Sequence, residues 1–252
     1  MTDLVVLTGP TGYLGRAILK RLVSRFLVVG VSRSATQARK CLKVHESSYY
    51  YPLERDFTQY SAEDVADAIN QIISEKRARL VGLVNNAFSS YPDSPLAIDE
   101  NALSRNAEAL FGYHVRLSLL LSGVMDPPAS IVNITSMYGK VSPRPSLYEA
   151  ESCVNPLLYG CMKAALIQSS RYLSSHLGPK GIRVNSVSYG PFPSDSIHVD
   201  NPKLILNLAA QTHLGRVGRP DEASGIIEFL LSDSSTYITG ADISVDGGWT
   251  AW

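Results

Sequence analysis

The sequence predicts an α/β domain, an open parallel sheet doubly wound by helices on both faces. Short β-branched runs alternate with stretches of helix length along all 252 residues, and strands spaced in this way need crossover connections between parallel neighbours. Runs such as LVVL and FLVV are apolar without alternation, as strands buried on both faces require. The first run passes straight into a glycine-rich turn, TGPTGYLG, at the head of a helical pattern.

In chain order, strands are expected at 4–7, 27–31, 49–53, 80–84, 130–134, 182–187 and 243–245. Each is a short run of the β-branched, aromatic and apolar residues that suit a pleated, buried surface. Helices are expected at 12–24, 62–74, 98–122, 156–177 and 220–231, each an amphipathic stretch lying between two strands or ahead of the last. Residues 140–155 and 192–214 break the alternation, with two prolines and mixed polarity in each. Both follow strand ends on the side where open α/β sheets hold ligands, so they are read as substrate loops. No linker, repeat or low-complexity tract divides the chain, and 1–252 is read as a single domain.

Hydrophobic residues make up 45% of the chain and charged residues 18%, enough apolar material for a large core. Lys plus Arg equal Asp plus Glu at 23 each, which leaves no electrostatic reason to bind nucleic acid or an anionic membrane. No apolar run approaches the length of a membrane span, and no secretory signal opens the chain. Cys41, Cys153 and Cys161 are odd in number and lack metal-ligand spacing. No metal is therefore expected, and the protein is read as cytoplasmic with reduced thiols.

The glycine turn is where chemistry first shows. Gly9 permits the tight turn, Gly12 lets backbone approach a pyrophosphate, and Gly15 lets the helix pack against the strand. Thr11, Tyr13 and Leu14 complete this Rossmann-type loop, and the helix N-terminus offers free amides to phosphate. At the end of the second strand, where an acidic residue would select NAD, stand Ser32 and Arg33. A guanidinium suits a 2′-phosphate, so NADP(H) is the expected cofactor, with NAD(H) possible.

TGPTGYLG, NNA at 85–87, NITS at 133–136, Tyr159-x-x-x-Lys163 and VDGG at 245–248 stand in the order found in the short-chain dehydrogenase/reductase family. RVNSVSYGP at 183–191 is similar to the family's strand and loop beside the nicotinamide. The resemblance covers essentially the whole chain. It implies an oxidoreductase with Ser136, Tyr159, Lys163 and Asn106 as catalytic residues, Asn101 being the alternative to Asn106. It further implies that Lys163 bonds the nicotinamide ribose, that Asn85, Asn86 and Ala87 line the adenosine side, and that Asp56 and Phe57 meet the adenine. Tyr189, Gly190 and Phe192 would lie by the nicotinamide. The two long helices suggest self-association, as a homotetramer or dimer.

Tyr159 and Lys163 are four residues apart, so a helix places them on one face. A nearby ammonium is expected to lower the phenol from about 10 by roughly 1–3 units. Tyr159 could then give a proton to a carbonyl oxygen or take one from an alcohol, with Ser136 bonding the same oxygen. Tyr148 also follows Ser136, but the residue four beyond it is Ser152, so Tyr159 is preferred.

Two features depart from the compact branch of the family. The Gly-x-x-Gly-x-x-Gly spacing resembles its larger, sugar-nucleotide-modifying branch, and 22 residues separate Ser136 from Tyr159. The stretch 137–160 and the ending VDGGWTAW are similar to members linked to flagellin modification and nonulosonic-sugar synthesis. That resemblance implies a sugar-like substrate, with Ser136, Tyr138, Arg144, Tyr148 and Tyr159 around it and Lys140 and Glu149 as further contacts. Two other functions fit the same residues: a sugar epimerase or dehydratase that retains its nicotinamide, and a non-catalytic nucleotide sensor.

Overall fold

The computed structural model describes residues 1–43, 45–88, 96, 99–150 and 153–252. Seven strands appear where the sequence expects them, each somewhat longer or shifted by a residue: β1 (Thr2–Thr8), β2 (Leu27–Ser32), β3 (Tyr50–Glu54), β4 (Ala78–Asn85), β5 (Ala129–Ser136), β6 (Ile182–Tyr189) and β7 (Asp242–Val245). They form one sheet in the order β3-β2-β1-β4-β5-β6-β7, and every neighbouring pair is parallel. The chain runs outward from β1 to β3 and then returns to β4. The order therefore reverses between β1 and β4, and the crevice at their C-terminal ends is the expected ligand site.

The strands alternate their faces. Val5 and Leu7 pack with Ile18, Leu22, Ile227 and Leu230, so α1 (Tyr13–Leu22) and α8 (Pro220–Leu231) cover one side. Leu4 and Val6 pack with Ile69, Leu117 and Leu173, which places α2 (Ala62–Lys76), α4 (Tyr113–Ser122) and α5 (Leu157–Leu177) on the other. No helix among the described residues is long and apolar enough to cross a membrane.

Two expectations are corrected. The helix expected at 98–122 is interrupted: α3 (Glu100–Ala107) gives way to a π-helical turn, Glu108–Gly112, before α4, while Ile98 lies outside the described residues. Gly112 weakens the helix at this point, and π turns of this kind collect at functional sites. The stretch expected as a loop at 192–214 contains α6 (Asp195–Asp200) and α7 (Pro202–Ala209). Pro202 is a first-turn residue rather than a breaker, and Asn201 caps it by accepting the Leu204 N–H at 2.9 Å. Within 140–155 the chain makes a 3₁₀ turn at Pro145–Leu147, and residues 151–152 lie outside the described set.

Candidate active site

The glycine turn is closed by backbone packing. Gly9 has φ +67°, and a Cβ there would lie 2.8 Å from the Ala87 Cα; one on Gly15 would lie 2.0 Å from the Gly9 carbonyl oxygen. Gly12 is the open position, its would-be Cβ meeting only the Gly9 oxygen at 3.5 Å. Thr8 ties this turn to the end of β4: its hydroxyl accepts the N–H groups of Asn86 (2.9 Å) and Ala87 (2.8 Å). The Asn86 amide returns to the Thr8 and Gly9 carbonyls, at 3.0 Å each. Around the turn, Arg16 holds the Thr11 carbonyl at 2.9 Å, the Tyr13 hydroxyl reaches Asp195 at 3.3 Å, and Leu14 packs inward.

At the end of β2 the Ser32 hydroxyl is buried without a hydrogen-bond partner, and Arg33 is exposed. An open backbone at Gly12, a helix N-terminus and an orphan hydroxyl at the neighbouring strand end fit the phosphates and ribose of a dinucleotide.

Several residues assigned to the cofactor by resemblance turn their side chains elsewhere. Asn85 is buried and donates to Asn133 (2.8 Å) and Ser118 (2.9 Å), joining β4, β5 and α4. The Asp56 carboxylate closes its own turn on Thr58, accepting from the backbone at 3.0 Å and the hydroxyl at 2.9 Å. Phe57 stacks on Tyr113 with centroids 4.2 Å apart. The Tyr189 ring is buried in the α1/α8 layer, its hydroxyl donating to the Ala223 carbonyl. Phe192 lies edge-on to it at 5.3 Å and rests against Gly218. Gly190 packs so closely on Asp246 that a Cβ would come within 2.5 Å of its Cα.

At β5 the expected residues converge. Ser136 ends the strand, buried, and its hydroxyl accepts the Tyr138 N–H at 3.2 Å. The Tyr159 phenol lies close enough for this hydroxyl to favour its ionised form. Two glycines outside the recognisable motifs make this approach possible. A Cβ on Gly160 would sit 2.8 Å from the Tyr138 carbonyl oxygen, and one on Gly139 3.0 Å from the Ala164 nitrogen, so the first turns of α5 lie directly on the 137–139 turn. Lys163 is 4% exposed and donates to the Ile134 carbonyl at 2.9 Å.

The acidities differ from the expectation. Burial raises the Tyr159 phenol above its ordinary value, and the neighbouring Ser136 hydroxyl only partly opposes this. Burial also lowers Lys163 from 10.5 to about 8. Desolvation, not the neighbouring cation, sets the direction of the Tyr159 shift. Asn106 is buried in the last turn of α3, its amide on the Ala102 carbonyl at 2.9 Å, directly before the π turn. Asn101, its alternative, is exposed.

Above Tyr159 the wall is apolar and phenolic. Met137, Tyr138, Leu147, Leu208 and Trp249 form a cluster against which Tyr148 and Tyr159 pack. The Tyr138 and Tyr148 hydroxyls are 2.7 Å apart, and Asn155 donates to Tyr148 at 3.4 Å. The cations expected here are committed elsewhere. Lys140 pairs with buried Asp242 at 2.7 Å and bonds Ser244 at 2.6 Å, and Arg144 bonds Gln211. Glu149 is exposed.

A Rossmann-type sheet with this serine, tyrosine and lysine arrangement defines a class, the dinucleotide-dependent oxidoreductases. A family model described as enoyl-(acyl carrier protein) reductase matches residues 26–250. Protein FixR of Bradyrhizobium diazoefficiens is 29% identical, over 97% of this chain and 85% of its own length. The rhamnolipids biosynthesis 3-oxoacyl-[acyl-carrier-protein] reductase of Pseudomonas aeruginosa is 33% identical, over 75% of this chain and 73% of its own. A short-chain dehydrogenase from Leptospira borgpetersenii, solved with bound NAD+, superposes with a TM-score of 0.84 at 23% identity, covering 99% of this chain and 93% of that one. The chain belongs to the short-chain dehydrogenase/reductase family of NAD(P)-dependent oxidoreductases.

Proposed function

We propose that this chain is an NADP(H)-preferring oxidoreductase acting on a carbonyl or secondary alcohol of a sugar or sugar derivative. The carrying observation is that the buried Ser136 at the end of β5 lies beside the Tyr159 phenol, with Lys163 one turn along the same helix. A dinucleotide held here would supply or accept the hydride. Tyr159 gives its proton to the carbonyl oxygen as that oxygen becomes an alkoxide, and Ser136 holds the same oxygen. Burial keeps the phenol protonated near neutrality, the state a donor needs. Lys163, at about 8, remains mostly charged at neutral pH and favours the phenolate left behind. Asn106 supports this group from α3.

Gly9, Thr11, Gly12, Tyr13, Leu14 and Gly15 would hold the pyrophosphate, and Ser32 and Arg33 the 2′-phosphate end. Asn86 and Ala87 act through the loop they brace. The sugar reading rests on the wall: paired phenols and an amide suit neutral hydroxyls, while Lys140 and Arg144 are already bonded and leave little for an anionic substrate. Exposed Leu103, Leu119, Leu120, Leu157 and Tyr172 on α3, α4 and α5 support a homotetramer or dimer. The protein is further read as one cytoplasmic domain acting on small molecules.

The test is oxidation of NADPH and NADH by the purified protein against aldoses, ketoses and apolar ketones. Net NADPH consumption with polyhydroxy carbonyls is expected. Turnover of apolar ketones alone would remove the sugar reading. Sugar conversion without net cofactor loss would indicate an epimerase, and binding without any turnover a sensor.

A further inference from the structure

Phe88 has no role in the site described above, yet it joins the site's two halves. It follows Ala87, whose N–H is held by Thr8 and whose Cα abuts Gly9. The ring is edge-on to Tyr159, with centroids 5.3 Å apart and planes at 85°. The Lys163 ammonium lies 5.8 Å from the same ring. Phe88 is nonetheless 53% exposed. A large apolar side chain half in water and half on a partly buried tyrosine and a buried ammonium acts as a cover over both.

The contacts of Lys163 sharpen this. It donates to the Ile134 carbonyl, and the rings of Phe88 and Tyr159 each lie 5.8 Å from the ammonium. A ligand hydroxyl that bonds this ammonium comes in beside these rings, of which Phe88 is the exposed one. We propose that Phe88 is an access residue for the ribose-nicotinamide end of the dinucleotide, its ring leaving Lys163 and Tyr159 before that end can bond either group. This rests on the reading of Tyr159 and Lys163 given under Proposed function. Cation–π and edge-on ring contacts are individually weak, so the cover reduces affinity without abolishing it. Because the backbone at Ala87 is braced by Thr8, the displaced ring stays at the rim of the site.

Calorimetric titration of the wild type and of Phe88→Ala with NADPH and with 2′,5′-ADP, which carries only the adenosine half, tests this. Phe88→Ala is expected to bind NADPH about three- to tenfold more tightly, with 2′,5′-ADP unchanged within about twofold. Phe88→Leu, which keeps bulk and loses the ring, should fall between the two proteins and guards against a folding defect in the alanine variant. Unchanged or weaker NADPH binding in folded Phe88→Ala, or equal shifts for both ligands, would overturn the proposal. Failure of the wild type to bind any nicotinamide dinucleotide would instead overturn the cofactor reading beneath it.

Discussion

The half of the sheet around β1, β2 and β4 offers its ligand mainly backbone, whereas the half around β5 and α5 offers side chains. In the first half, Gly9 and Gly15 are tolerated by packing that leaves no room for a Cβ, and Thr8 and Asn86 spend their polar groups on bracing the turn. Asn85, Asp56 and Phe57, which look like ligand contacts in sequence, serve the scaffold. In the second half, the Ser136 hydroxyl, the Tyr159 phenol and the Lys163 ammonium are gathered within two turns of one helix and the end of one strand. A backbone site tolerates change in neighbouring side chains but not in its own Cβ atoms; a side-chain site behaves in the opposite way.

Substitutions can break this contrast, the largest effect first. Gly15→Val would drive a branched side chain into the Gly9 carbonyl, with the first atom already at 2.0 Å. A loss of about 3 kcal/mol or more in thermal or chemical unfolding is expected, together with loss of dinucleotide binding by titration.

Lys163→Met should do the reverse to stability while abolishing turnover. Between about pH 8 and 10.5 the unfolded chain holds a proton that folded Lys163 has released, so wild-type stability rises with pH through that window. Below it the folded protein carries the whole desolvation penalty, on the order of 3 kcal/mol, of which roughly 1 is returned by the Ile134 hydrogen bond. The methionine variant is therefore expected to be about 1–3 kcal/mol more stable than wild type at pH 7, the advantage fading above pH 10 in a Tm-versus-pH series.

Arg33→Ala should weaken NADPH by about tenfold and leave NADH nearly unchanged in parallel titrations. Asp56→Ala should be the mildest. It removes two exposed turn hydrogen bonds, costs about 0.5–1 kcal/mol in unfolding, and shifts dinucleotide affinity by less than about twofold if its carboxylate only closes the turn.

The same contrast explains what could be read from residues alone. The strand positions and the glycine turn were legible because apolar runs and glycine spacing report backbone directly. Tyr159 and Lys163 were legible because four-residue spacing fixes a shared helical face. The direction of the Tyr159 shift was not, since spacing shows a neighbouring charge but not the burial that sets it. Pro202 resembles a loop signal in sequence, because its cap from Asn201 shows only in the folded chain. Gly139 and Gly160 bring α5 onto the turn after β5 from distant positions, and Phe88 sits in a stretch that resembles plain loop. Such contacts exist only once the sheet has formed.

The most direct test of the central claim is Tyr159→Phe, assayed for NADPH affinity and for single-turnover hydride transfer to a reducible carbonyl. The phenol's oxygen is removed and its ring retained. The expected result is a folded protein that binds NADPH within about twofold of wild type and transfers hydride roughly 10²–10⁴ times more slowly. A folded variant that binds NADPH and reacts at nearly the wild-type rate would contradict the account.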